Sequence, residues 1–177
     1  MVDRYQSFAR SALGRTIVRR LGLPDPPRLQ RHTPGRPVLG GPALVGAAPG
    51  GRAGKQVDTL LSDLSDLSDQ ASAADYAALI FDATGIAEPA QLRALYEFFH
   101  PVIRALRPSG RVIVLGAEPG ADPAQAAAQQ AVEGFVRSVG KELRHGATAA
   151  LVRLAPGAET AMESTLRFLL SARSAYV

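Results

Sequence analysis

The chain has 177 residues, 46% of them hydrophobic and 20% charged, the composition of one globular domain rather than of a disordered segment. It contains no cysteine, which excludes disulfides, thiolate metal sites and cysteine nucleophiles and suits a reducing cytoplasm. The net charge of +4 is unevenly placed, because residues 1–36 hold eight arginines against Asp3 and Asp25 while the remainder is slightly acidic.

Residues 1–39 read as an arginine-rich extension with a proline-rich connector. Tyr5, Phe8, Ala12, Leu13, Val18 and Leu21 recur at roughly helical spacing over residues 4–21, with arginines opposite, and Gly22 and Pro24 end the helix. Without aromatic–basic interleaving or a lysine cluster, this stripe predicts packing on a neighbouring domain rather than nucleic-acid or membrane-surface binding. Arginine outnumbers lysine eighteen to two, which reads as a mark of GC-rich coding more than of phosphate recognition.

From residue 40 to residue 177 short apolar runs alternate with helical segments. Strands are predicted at 42–46 (PALVG), in 77–85 (AALIFDATG), at 110–116 (GRVIVLG) and in 147–157 (ATAALVRLAPG). Helices are predicted at 57–70, 89–106, 124–144 and 161–173. Such alternation implies an α/β fold, a three-layer parallel sheet covered on both faces, with right-handed crossovers. No apolar run approaches the length of a membrane span, and no signal peptide is visible.

Four landmarks then fall in the order of a short-chain dehydrogenase/reductase domain. VGAAPGGR (45–52) resembles that family's TGxxxGxG cofactor turn, and DATG (82–85) stands where the family has NNAG. GRVIVLGA (110–117) resembles the strand that ends in the catalytic serine, and VEGFVRSVGKEL with ALVRLAPG (132–157) resembles the active-site helix and the strand after it. The arginine-rich extension and the wording of residues 79–116 further resemble the N-terminal domain of high-molecular-weight 3-oxoacyl-[acyl-carrier-protein] reductases. In that family a degenerate first domain precedes a complete NADH-using ketoreductase domain.

The resemblance implies a site that has lost its chemistry. Gly46 and Gly50 of the turn remain, but Arg52 replaces the third glycine, so the turn is vestigial and no cofactor is expected in this domain. Only some thirty residues separate the turn from AALIF, too few for the two strand–helix units that normally build the adenosine half. A reduced Rossmann, flavodoxin-like sheet is expected. Reduction needs a tyrosine acid, a lysine four residues on that tunes it, and a serine on the substrate carbonyl. Those positions are Gln125, Gln129 and Ala117. A glutamine delivers no proton at neutral pH, and general acid catalysis is typically worth ~10²–10⁴-fold, so this segment is expected to be catalytically silent.

What remains is a scaffold. Leu95, Phe99, Val132, Phe135, Val136 and Val139 on two helices are candidate interface residues, since in the resembled family these helices commonly build the dimer. The expectation is a structural, docking domain of a 3-oxoacyl-acyl-carrier-protein reductase of fatty-acid metabolism. Its partners would be a catalytic reductase domain in cis and a second copy. The parent would use NADH on acyl-carrier-protein or acyl-CoA thioesters in the cytoplasm. The alternative is a nucleotide, flavin or acyl-carrier module in the reduced fold. No metal is expected, because His32, His100 and His145 are scattered without ligand spacing, and Asp63, Asp66 and Asp69 read as a solvated helix face.

Overall fold

The computed structural model describes residues 32–64 and 75–175, with positions 11, 14, 16 and 20 ahead of them. The predicted N-terminal helix, apart from those four positions, and Asp66 and Asp69 lie outside the described residues. The described chain forms a four-stranded, all-parallel sheet in the order β1-β2-β3-β4. The strands are β1 (Ala43–Ala47), β2 (Tyr76–Asp82), β3 (Leu106–Ala117) and β4 (Thr148–Leu154). The helices are α1 (Gly54–Leu64), α2 (Arg93–Val102), α3 (Pro123–Glu142) and α4 (Glu163–Leu170), with short 3-10 turns beside them.

Alternation along the strands creates two cores. Ala78, Ile80, Ile113 and Leu115 point to one face, where α1 contributes Val57, Leu60 and Leu64 and α4 contributes Leu166 and Leu170. Leu79, Phe81, Val112 and Val114 point to the other, under Leu95 and Phe99 of α2 and Ala128, Val132 and Val136 of α3. Because both faces are covered, the central strands read as continuous apolar runs. Phe81, Phe98, Phe99 and Phe135 form an aromatic group in the second core, with ring centroids 4.8–6.0 Å apart.

The helix expected at 89–106 is a continuous helical run from Pro89 to Ala105, α-helical over α2 and 3-10 at both ends; Pro101 in its last α-turn has no amide to donate to the Glu97 carbonyl. One strand departs from its expected boundary for a physical reason. β3 begins earlier than residue 110, at Leu106, but leaves register with β2. Tyr76 pairs with Leu106 and Ala78 with Arg111, so residues 107–110 stand opposite Ala77 alone. Ser109 turns this bulge in the left-handed region (φ 60°), and its amide donates to the His145 carbonyl at 2.9 Å.

The hand of the connections departs from expectation too. All three connections step the same way across the sheet, so connections over opposite faces have opposite hands. α1, the described part of the β1–β2 connection, covers the first face, whereas α2 and α3 cover the second. A uniformly right-handed set is therefore ruled out, although the preference is about 98%. Among the described residues no helix is long and apolar enough to cross a membrane.

Candidate functional site

In open parallel sheets ligands bind beyond the C-terminal strand ends, where backbone amides and helix N-termini favour anions. Here that crevice lies between the β1–α1 turn, the ends of β2 and β3, and the segment after β4. The chain fills it with its own groups.

The apolar strand AALIF ends in Asp82, whose side chain is buried. Its carboxylate accepts from the Ala53 amide (2.6 Å), which immediately precedes α1, and from the Thr84 amide (3.0 Å) and hydroxyl (2.6 Å). An internal anion thus stands where the α1 N-terminus would favour a phosphate. The turn is sealed from the other side by Gly85. A Cβ there would lie 2.2 Å from the Pro49 carbonyl oxygen and 2.6 Å from the Gly51 nitrogen, so the two backbones touch.

Gly46 and Gly50 have packing and backbone reasons to be glycine. A Cβ on Gly46 would meet the Phe98 ring at 2.3 Å, so Gly46 is small to admit an aromatic side chain of α2. Gly50 holds φ 77° in the turn, a conformation that favours glycine. Arg52 is also engaged. Its guanidinium donates to the Leu154 carbonyl at 3.1 Å and pairs with Glu159 at 2.8 Å, and its amide donates to the Thr84 hydroxyl at 2.9 Å. The arginine bridges the ends of β1 and β4, and its charge is already met.

Gln129 is fully buried on α3. Its side-chain oxygen accepts from the Ala117 amide at 2.9 Å, and its nitrogen donates to the Ala83 and Ile86 carbonyls at 3.0 and 2.7 Å. One side chain therefore ties α3 to the ends of both β2 and β3. Gln125 braces the loop after β3, accepting from the Gly120 amide at 2.5 Å and donating to the Glu118 carbonyl at 3.0 Å. Ala117, Gln125 and Gln129 do meet at the end of β3, but none presents a group that titrates near neutral pH.

Beside them Glu133 of α3 bonds Arg153 of β4 at 2.7 Å and Arg137 at 2.8 Å. The hydrogen bond from Arg153 holds the Glu133 carboxyl below its ordinary range, with a further contribution from the Arg137 charge. No group of three or more His, Cys, Asp or Glu that could hold a metal occurs among the described residues. His100 stacks on Tyr96 at 4.7 Å, His32 lies 3.3 Å from Arg173, and Asp63 pairs with Arg167.

Of the six candidate interface residues, Leu95, Phe99, Val132 and Val136 lie in the core against the sheet and offer a partner no surface. Phe135 and Val139 are half-buried at its margin. The exposed side of α3 carries Ala127, Ala131, Gly134 and Ser138, four small residues at helical spacing, flanked by the exposed Gln130, Arg137 and Lys141, and Tyr96 on α2 is 62% exposed. Asp82, Thr84 and Gly85 of the DATG landmark carry a bracing role that the landmark itself does not imply. The available signal was an acid ending a run of five apolar residues.

Compared with known proteins, the chain matches no protein-family model and has no significant match among curated proteins.

Proposed function

We propose that this chain is a non-catalytic structural and docking domain of reductase ancestry, acting beside the catalytic domain of a 3-oxoacyl-[acyl-carrier-protein] reductase. The observation that carries this reading is the closure of the strand-end crevice: Asp82 at the α1 N-terminus, Gly85 against the turn, and Gln129 with its amide fully bonded. Groups whose polar atoms are all satisfied internally have no reaction to offer. The opposite hand of the α1 connection adds to it. In a doubly wound sheet the first helix covers the face that leads outward to a strand on the far side of β1. A helix left on that face but feeding the inward neighbour is what deletion of the outer, adenosine-binding strands would leave. The same closure weighs against a nucleotide, flavin or acyl-carrier module in this crevice.

Docking is assigned to the small-residue face of α3, with Tyr96 nearby on α2, because small side chains let a second helix approach closely. In the parent, NADH and acyl-carrier-protein or acyl-CoA thioesters belong to the catalytic domain, and homodimerisation uses the same helices. The experiment is sedimentation of the chain alone and mixed with a separately produced catalytic domain. We expect association that Ala131→Arg abolishes without lowering the unfolding midpoint. A chain that stays monomeric and ignores the catalytic domain sinks the docking role, and NADH-dependent turnover of a 3-oxoacyl thioester by this chain alone sinks the non-catalytic one.

A further inference from the structure

The other end of the sheet holds a cleft the crevice does not share. It lies at the N-terminal ends of β2 and β3, between residues 32–40 and the C-terminal end of α4, and encloses about 630 Å³. Five arginines line it, Arg36, Arg107, Arg111, Arg167 and Arg173, and no acidic residue among the described residues does.

The five are not equivalent. Arg167 is met by Glu163 at 2.9 Å and Asp63 at 3.2 Å. Arg111 is buried and directs its donors to the carbonyls of Ser109, Gly110, Leu169 and Ser171 at 2.8–3.4 Å. It is a strut between β3 and the end of α4, and burial lowers its pKa from the ordinary value. Arg36, Arg107 and Arg173 have no carboxylate within ion-pair distance among the described residues. Arg107 sits in the four-residue bulge of β3 and donates to the Gly40 carbonyl, so the irregular register places a guanidinium in the cleft wall. Among the described residues the Arg173 guanidinium meets the ring nitrogen of His32 and no carboxylate. Three positive charges thus share one concave space, and among the described residues no carboxylate neutralises them.

Phe168 stands in the same wall with 41% of its surface in water, one of two large hydrophobic side chains left so exposed among the described residues. Val38, Leu39 and Leu170 supply apolar floor. An aromatic face beside unpaired guanidinium groups suits a planar ring carrying phosphate, because arginine binds phosphate in a bidentate fork and ring stacking is worth about 1–3 kcal/mol per base. The volume falls within the roughly 300–1,000 Å³ of small-molecule sites.

We propose that this cleft binds a nucleoside phosphate, its phosphates on Arg36, Arg107 and Arg173 and its base against Phe168. It is independent of the docking role, since it lies at the opposite end of the strands from the closed crevice.

Calorimetric titration of the full chain with ADP, inorganic pyrophosphate and adenosine tests it. ADP should bind saturably, one per chain, and more weakly as chloride rises. The Arg36→Gln/Arg173→Gln pair and Arg107→Gln should each weaken ADP about tenfold or more, whereas Arg137→Gln on α3, outside the cleft, should not. Phe168→Ala should weaken ADP and leave pyrophosphate unchanged. Where a variant fails to fold, mapping of phenylglyoxal modification on the unaltered chain replaces it: ADP should protect Arg36, Arg107 and Arg173. No saturable binding, binding indifferent to the cleft variants, an inert Phe168→Ala, or protection confined to other arginines each overturns the proposal.

Discussion

Gln129 and Asp82 do the same kind of work from two different elements. Both are buried beside the strand ends, and both bond backbone groups that would otherwise face a ligand or water. Gln129→Lys, restoring the residue type of the resembled family, removes the acceptor of the Ala117 amide and buries an ammonium. We expect a loss of about 2–4 kcal/mol in urea unfolding; a variant as stable as the parent chain would mean that the crevice still has room for a cation. That residues 125 and 129 carry no group titrating near neutral pH was legible from the sequence. Their roles as braces were not, because the Gln129 partners Ala83 and Ile86 are 46 and 43 residues away. The arginine excess was likewise read as coding bias, since composition does not say which arginines share a cleft.

At the scale of elements, the short apolar runs and the period-3.6 stripes placed the four strands and the helices α1 to α4 within a few residues. The start of β3 was missed because the Ser109 turn bends it out of register. α3 is joined to the edge strand β4 by Glu133 and Arg153, and this link depends on pH. The folded-state pKa of Glu133 is lowered, so its contribution is present above the ordinary carboxylate range and is lost as pH falls through the folded value. The difference in urea midpoint between the parent chain and Glu133→Gln should be widest near neutral pH and close in acid. A difference independent of pH between 3 and 7 would place the stabilising interaction elsewhere.

For the molecule as a whole, layer order was legible but the hand of the α1 connection was not, because an amphipathic stripe does not say which face of a sheet it will cover. The same architecture predicts where the fold holds longest. Among the described residues β2 and β3 have a strand on each side, whereas β1 and β4 have one neighbour each, and β4 is only half-buried through Arg153. Hydrogen exchange should be slowest at Leu79–Asp82 and Val112–Leu115 and faster in β1 and β4. Equal protection in β4 would mean that its outer edge is covered in solution. The Asp82 carboxylate has one more consequence. It acts as a tethered competitor, already oriented by folding, so it loses no translational freedom when it occupies the α1 N-terminus, and diluting the protein does not displace it. Any free phosphate must outbid a rival whose local concentration is fixed by the chain itself, so the barrier that Asp82 sets against an anion there is one of covalent connectivity rather than of affinity.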